Sequence, residues 1–192
     1  MARDLSTLPD GLPVPVDDGA CDHLVGTRLP AIALPSTAGR KVVLTKTGRP
    51  RTVVYAYPRT GVPGEPSPDG WDLIPGARGC TPQSCSFRDH HQELLDLGAE
   101  VFGLSTQTTA FQQEMAARLH LPFEVLSDAD LRLAEALRLP TFEVAGMTLI
   151  KRLTLVLRDG RIEHVFYPVF PPDQSAAQTI DWLRAHPASA QA

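Results

Sequence analysis

Arg158-Asp159-Gly160 separates two apolar, β-branched runs, Leu153 to Leu157 and Arg161 to Phe166. Asp-Gly between such runs favours left-handed backbone at both turn positions and closes a tight hairpin. The last two strands are therefore antiparallel. Upstream, the pattern alternates. Thr52 to Tyr57 (TVVYAY) is a continuous β-branched and aromatic run stopped by Pro58, which suits a strand buried on both faces. Further strands are expected at Val42 to Leu44, Val101 to Leu104 and Pro122 to Leu126. Phe111, Met115 and Leu119 recur every four residues and make Thr108 to Leu119 a helix, and Ala129 to Leu139 and Gln174 to Ala185 read the same way. Strand–helix alternation closed by a hairpin and a helix gives an α/β sandwich, a mixed sheet flanked by helices.

Bulk properties narrow the function. The 192 residues are 43% apolar, enough for a core without staples, and residues 1–25, rich in Pro, Gly and Asp, read as an N-terminal extension to a domain over 26–192. A net charge of −4 without a basic stripe argues against nucleic acid, and 6% aromatics is too few for a base-stacking platform. No segment approaches the ~20 apolar residues of a membrane span. Met1 to Val16 carries Arg3, Asp4 and Asp10 in place of a secretory signal. Three cysteines are too few for a secreted disulfide framework, so a cytoplasmic setting is expected, where a close cysteine pair is catalytic or metal-binding.

That pair is Cys80 and Cys85, in Gly79-Cys80-Thr81-Pro82-Gln83-Ser84-Cys85. Thr81 is an N-cap residue type and Pro82 suits a first helical position, so a helix is expected from there to a stop at Gly98. It follows a Gly/Pro-rich stretch, Arg59 to Gly79. Cys80 then lies at the positive end of a helix, where unsatisfied N–H groups favour thiolate over thiol, with Arg78 nearby as a further source of positive potential. Such a thiolate can attack a peroxide O–O bond and become a sulfenic acid, which a neighbouring thiol converts to a disulfide. Cys85 is the nearest thiol in sequence. Five helical residues separate Cα atoms by roughly 8.6 Å, whereas a disulfide needs less than ~7 Å. Closing this pair requires the first turns to unwind.

Other readings of the pair stay open. Cysteines at this spacing also occur as ordinary buried residues. His90 and His91 offer a metal site, but C-x4-C-x4-H-H departs from common zinc spacings, so no metal or other cofactor is expected and both histidines are placed on a solvated helix face. Cys21 reads as incidental. Arg152, ahead of the strand LTLVL, reads by itself as a surface charge, as do Arg158 and Arg161 beside the turn.

Taken together, these residues resemble the peroxiredoxins, specifically the peroxiredoxin Q or bacterioferritin-comigratory-protein group. The similarity spans roughly Gly26 to His186 and rests on Leu29-Pro30 to Leu34, Tyr55-Ala56-Tyr57-Pro58, Gly79 to Cys85, and Tyr167-Pro168-Val169-Phe170-Pro171-Pro172. Gly-Cys-Thr with a second cysteine five residues after the first is its most specific part. The resemblance implies a thioredoxin-like fold, a peroxidatic Cys80, a resolving Cys85 and an Arg152 that supports the thiolate and binds peroxide. It also implies hydrogen peroxide and small organic hydroperoxides as substrates, thioredoxin or a similar dithiol as reductant, and a monomer. One departure stands out. The family places Thr or Ser three residues before the peroxidatic cysteine, in a compact segment that starts at a proline, whereas this chain has Ala77 and a longer path from Pro58. Pro58 and Thr60 are the candidates for the family's proline and hydroxyl, with the extra residues looping out between Gly61 and Ile74. The competing functional reading is a redox sensor or metal-binding protein of the same fold. A general disulfide oxidoreductase would carry C-x-x-C instead.

Overall fold

A strand with apolar side chains on both faces belongs in the middle of a sheet, and the TVVYA run takes that place. In the computed structural model, which describes residues 5 and 7–188, an antiparallel pair, β1 (Ala33–Pro35) and β2 (Lys41–Val43), precedes the central strand β3 (Arg51–Ala56). There follow α1 (Cys80–Asp89), α2 (His91–Asp96), β4 (Ala99–Ser105), α3 (Thr109–Leu119), β5 (Val125–Ser127) and α4 (Arg132–Leu137). The chain continues through β6 (Thr141–Val144), β7 (Met147–Ile150), β8 (Leu153–Arg158), β9 (Arg161–Phe166) and α5 (Ser175–Ala185). The main sheet has the order β5-β4-β3-β8-β9. β3, β4 and β5 run parallel, β8 runs antiparallel to β3, and β9 antiparallel to β8. This is the mixed, helix-flanked sheet of a thioredoxin-like fold. Asp159 (φ 52°) and Gly160 (φ 71°) make the β8–β9 turn in the left-handed region, as the Asp-Gly pair predicts.

Alternation along β3 divides the core. Val53 and Tyr55 face α1, α2, α3 and α5, packing with Phe87, Leu94, Met115 and Ile180. Val54 and Ala56 face the opposite layer, built from Leu133 and Leu137 of α4, Leu34 and Val42 of the β1–β2 pair, and Cys21 and Leu24. Each large apolar side chain buried this way contributes ~1.5–3 kcal/mol.

Several boundaries differ from the sequence expectation. The helix at the cysteine pair begins at Cys80, so Thr81 and Pro82 lie inside its first turn. Gly79 makes this possible. Its φ of 105° is a glycine conformation, and a Cβ there would lie 2.3 Å from Pro172 Cγ and 2.8 Å from Leu8 Cδ2. The helix does not run unbroken to Gly98. It breaks at His90 (φ −103°), where the His90 ring Nδ1 lies 2.9 Å from the Ser86 carbonyl that also accepts the His90 N–H. α4 starts at Arg132, later than expected, because Leu131 is left-handed (φ 58°) and the Asp128 carboxylate caps the Leu133 and Ala134 N–H groups at 3.0 and 2.8 Å. β5 begins at Val125 and not at Pro122. The β6–β7 hairpin has no counterpart in the sequence reading. It turns through Ala145 (φ 49°) and Gly146 (φ 74°), and Ala-Gly lacks the Asn or Asp that marks such turns.

Two corrections bear on the site. The 61–74 segment does not simply loop out. It folds back with a short 3₁₀ turn at Trp71–Leu73, and Trp71 is 5% exposed. Arg152 is not a surface charge. It lies in the link between β7 and β8 and is 3% exposed, because donors on its planar fork are taken up by carbonyls that the fold turns inward.

Candidate active site

Cys80 is the first residue of α1 and is 4% exposed. The first intrahelical bond is made by the Gln83 N–H to the Gly79 carbonyl at 3.0 Å. Pro82 has no N–H, which leaves the Cys80 and Thr81 amides as the donors at the positive end of the helix. The Cys80 Sγ lies 3.6 Å from the Ala77 carbonyl oxygen.

Arg152 closes the site from the sheet side. Its Nη2 donates to Cys80 Sγ at 3.1 Å, and to the carbonyls of Ala77 and Arg78 at 3.1 and 3.2 Å. Its Nε donates to the Gly76 carbonyl at 3.2 Å, and its Nη1 to Gln83 Oε1. Among the described residues no carboxylate forms an ion pair with this buried guanidinium. The guanidinium therefore sets a buried positive charge directly against the sulfur. The network runs inward from Gln83 Nε2 to Ser175 Oγ at 3.3 Å, and from there to Thr154 Oγ1 at 3.3 Å. The sequence reading missed Gln83. Its place three residues after Cys80, on the same side of a helix, was the available signal.

A cavity of about 20 Å³ opens on Cys80, walled by Thr60, Ser67, Trp71, Arg78, Gly79 and Thr81. Thr60 is 1% exposed and anchored by Gln107: its N–H and Oγ1 donate to Gln107 Oε1 at 3.0 and 3.2 Å, and Gln107 Nε2 donates back to its carbonyl at 3.2 Å. Thr60 thus shares the cavity with Cys80. Pro58 is buried just past the end of β3. Ala77 is fully buried and packs with Trp71 and Leu149, so its side chain serves an apolar cluster. Arg78 Nη1 is 3.5 Å from Asp72 Oδ1.

Cys85 lies in the same unbroken helix, half-buried, and burial pushes its thiol up from the ordinary range. Cys21 belongs to the opposite core layer, and burial, then Asp18, Asp17 and Asp22, push its thiol up to about 12. All three cysteines are free thiols. His90 and His91 are half-buried, and the His91 ring packs against Phe123 with centroids 5.6 Å apart. No group of three or more His, Cys, Asp or Glu side chains placed to hold a metal occurs among the described residues. Nor is any described helix long and apolar enough to cross a membrane.

The Redoxin family model matches residues 24–180. The chain is 32% identical over 162 residues to the putative chloroplastic peroxiredoxin Q of Oryza sativa subsp. indica, an alignment covering 83% of this chain and 66% of the rice protein's length. It is 30% identical over 165 residues to peroxiredoxin Bcp of Escherichia coli (strain K12), covering 84% of this chain and 96% of that one. Among solved structures, peroxidoxin BcpB from Mycobacterium tuberculosis has the same fold, with a TM-score of 0.69 and 24% identity over 86% of this chain and 100% of that chain.

Proposed function

The chain belongs to the peroxiredoxin family, in the peroxiredoxin Q and Bcp group of thiol peroxidases, and from that premise we propose that Cys80 reduces peroxides and Cys85 resolves it. The single observation that carries the assignment is the Arg152 hydrogen bond to Cys80 Sγ, made by a buried cation with no carboxylate partner among the described residues.

The Cys80 thiolate attacks the terminal oxygen of the peroxide. The O–O bond breaks, and hydroxide or alkoxide leaves and takes a proton, giving water or an alcohol and a Cys80 sulfenic acid. Arg152 and the Cys80 and Thr81 amides are donors that meet the charge developing on oxygen. Thr60, on the same cavity, supplies the hydroxyl that Ala77 lacks, and Pro58 sets the start of that loop. The first turns of α1 then unwind, and the Cys85 thiol attacks the sulfenic sulfur and forms the disulfide, its proton passing to the departing hydroxide, which leaves as water. Thioredoxin or a similar dithiol reduces it, so the electron balance closes with thiols alone. In this reading residues 26–192 form the peroxidatic domain, with 1–25 as its extension, and the protein works as a cytoplasmic monomer.

Peroxide consumption coupled to thioredoxin and its reductase tests the assignment. Wild type should turn over, Cys80→Ser should not react at all, and Cys85→Ser should stop after one equivalent of peroxide. Continued turnover by Cys80→Ser would overturn it.

A further inference from the structure

The 61–74 segment reaches Cys80 as a fixed roof. Arg118 Nη2 donates to the Gly61 carbonyl at 3.2 Å and pins one end. The Asp72–Arg78 pair ties the other end to the residues just ahead of Cys80. Between them, the Trp71 N–H donates to the Pro68 carbonyl at 3.1 Å, and the Ile74 N–H to the Trp71 carbonyl at 3.3 Å. The indole stands against Phe142 of the β6–β7 hairpin, with ring centroids 6.3 Å apart, and shares a cluster with Ala77 and Leu149. Trp71 and Ser67 also wall the cavity on Cys80. This accounts for Ala77: a hydroxyl there would lie within an apolar contact with the indole, and the nearby hydroxyl comes from Thr60 instead.

The space left under the roof is about 20 Å³. A water molecule needs ~10–15 Å³ on this measure. The space beside the sulfur is thus about the size of one or two waters, so the substituent of a bulky peroxide has to lie at the mouth, against Trp71 and Ser67. We infer that Trp71 is a specificity-determining residue, which confines the peroxide site so that hydrogen peroxide is reduced in preference to bulky, aromatic hydroperoxides. The inference rests on the peroxidase reading and narrows its substrate class.

Rapid-quench thiol counting on the full chain tests it, comparing Cys80 oxidation by hydrogen peroxide and by cumene hydroperoxide. Wild type should favour hydrogen peroxide by about tenfold or more, and Trp71→Ala should raise the cumene rate relative to the hydrogen peroxide rate by about tenfold. Trp71→Phe, which keeps an aromatic ring against Phe142, should fall between the two. If Trp71→Ala fails to fold, Trp71→Leu fills most of the apolar pocket and should shift the ratio in the same direction. Equal rates in wild type, or a ratio unchanged in a folded Trp71 variant, would overturn the roof and leave the peroxidase reading intact. No reaction with either peroxide would instead sink the peroxidase reading itself.

Discussion

Arg152 Nη2 lies 3.1 Å from Cys80 Sγ while the rest of the guanidinium is held by the Gly76, Ala77 and Arg78 carbonyls and Gln83 Oε1. Those partners fix the fork in place before any peroxide arrives. A lysine carries the charge but cannot span a sulfur, an amide and three carbonyls at once. Arg152→Lys is expected to lower kcat/KM for hydrogen peroxide by roughly 10²-fold, the scale of losing a preorganised donor. Steady-state kinetics of the folded variant measures it, and a loss of only a few-fold would show that charge alone suffices.

Gly79 separates two costs. Gly79→Ala forces a Cβ onto Pro172 Cγ at 2.3 Å in a backbone that disfavours it, at φ 105°. Gly64→Ala, at φ 87° with nothing within 4 Å, carries the backbone strain alone. Such strain costs of order 1–3 kcal/mol. Urea denaturation should show Gly79→Ala the less stable of the two, and equal midpoints would remove the Pro172 contact from the account.

Disulfide formation has a structural price in α1. Its first turns are held by the Tyr55 Oη bond to Ser84 Oγ at 3.1 Å and the Gln83 bond to Ser175, besides the Arg152 contacts. These contacts must let go for Cα atoms roughly 8.6 Å apart in a helix to come within disulfide reach. Hydrogen exchange of the oxidised protein should therefore show faster amides across Cys80 to Cys85, while α3 and α5 keep theirs. Unchanged protection in a protein shown by mass to hold the Cys80–Cys85 bond would refute the unwinding step.

What the sequence disclosed follows from how local each signal is. Asp159-Gly160 announces its own hairpin, and TVVYAY carries its burial in its composition, so the mixed sheet was readable. Cys80 at a helix start was readable too, although Thr81-Pro82 placed that start two residues late because the real cue, Gly79 with a positive φ packed on Pro172, depends on a distant residue. Arg152 illustrates the limit. Its burial depends on carbonyls contributed more than seventy positions earlier, and only resemblance pointed to it. Trp71 was hidden for the same reason, since its pocket is made by the β6–β7 hairpin that the Ala145-Gly146 turn concealed.

Acid sensitivity should trace to Arg51 and Glu163. Arg51 is 2% exposed and meets the Glu163 carboxylate with two bonds of 2.7 Å. Those bonds hold Glu163 below the usual carboxylate range. A carboxyl group depressed on folding stabilises the native state above its unfolded value of about 4.3, and that contribution is lost as pH falls through the lower folded value. Melting temperature should drop on acidification below about pH 4 in wild type, and more shallowly in Glu163→Gln. Parallel curves for the two proteins would remove Glu163 from the acid response.

Cys21 should stay silent. With its thiol pushed up to about 12 and its side chain in the core layer away from Cys80, it is expected neither to react nor to resolve. Iodoacetamide at pH 8 should label Cys21 only after denaturation, and native labelling or a Cys21 disulfide after peroxide would contradict this.

The chain has two tryptophans, and they report on different things. Trp182 is stacked between His164 and His186, with centroids 4.7 and 4.3 Å away, and beneath Arg51. Trp71 borders the cavity at the sulfur. In a Trp182→Phe background emission comes from Trp71 alone and is expected to change as Cys80 is oxidised; stopped-flow fluorescence during reaction with hydrogen peroxide measures it, and unchanged emission would show that the indole does not sense the sulfur.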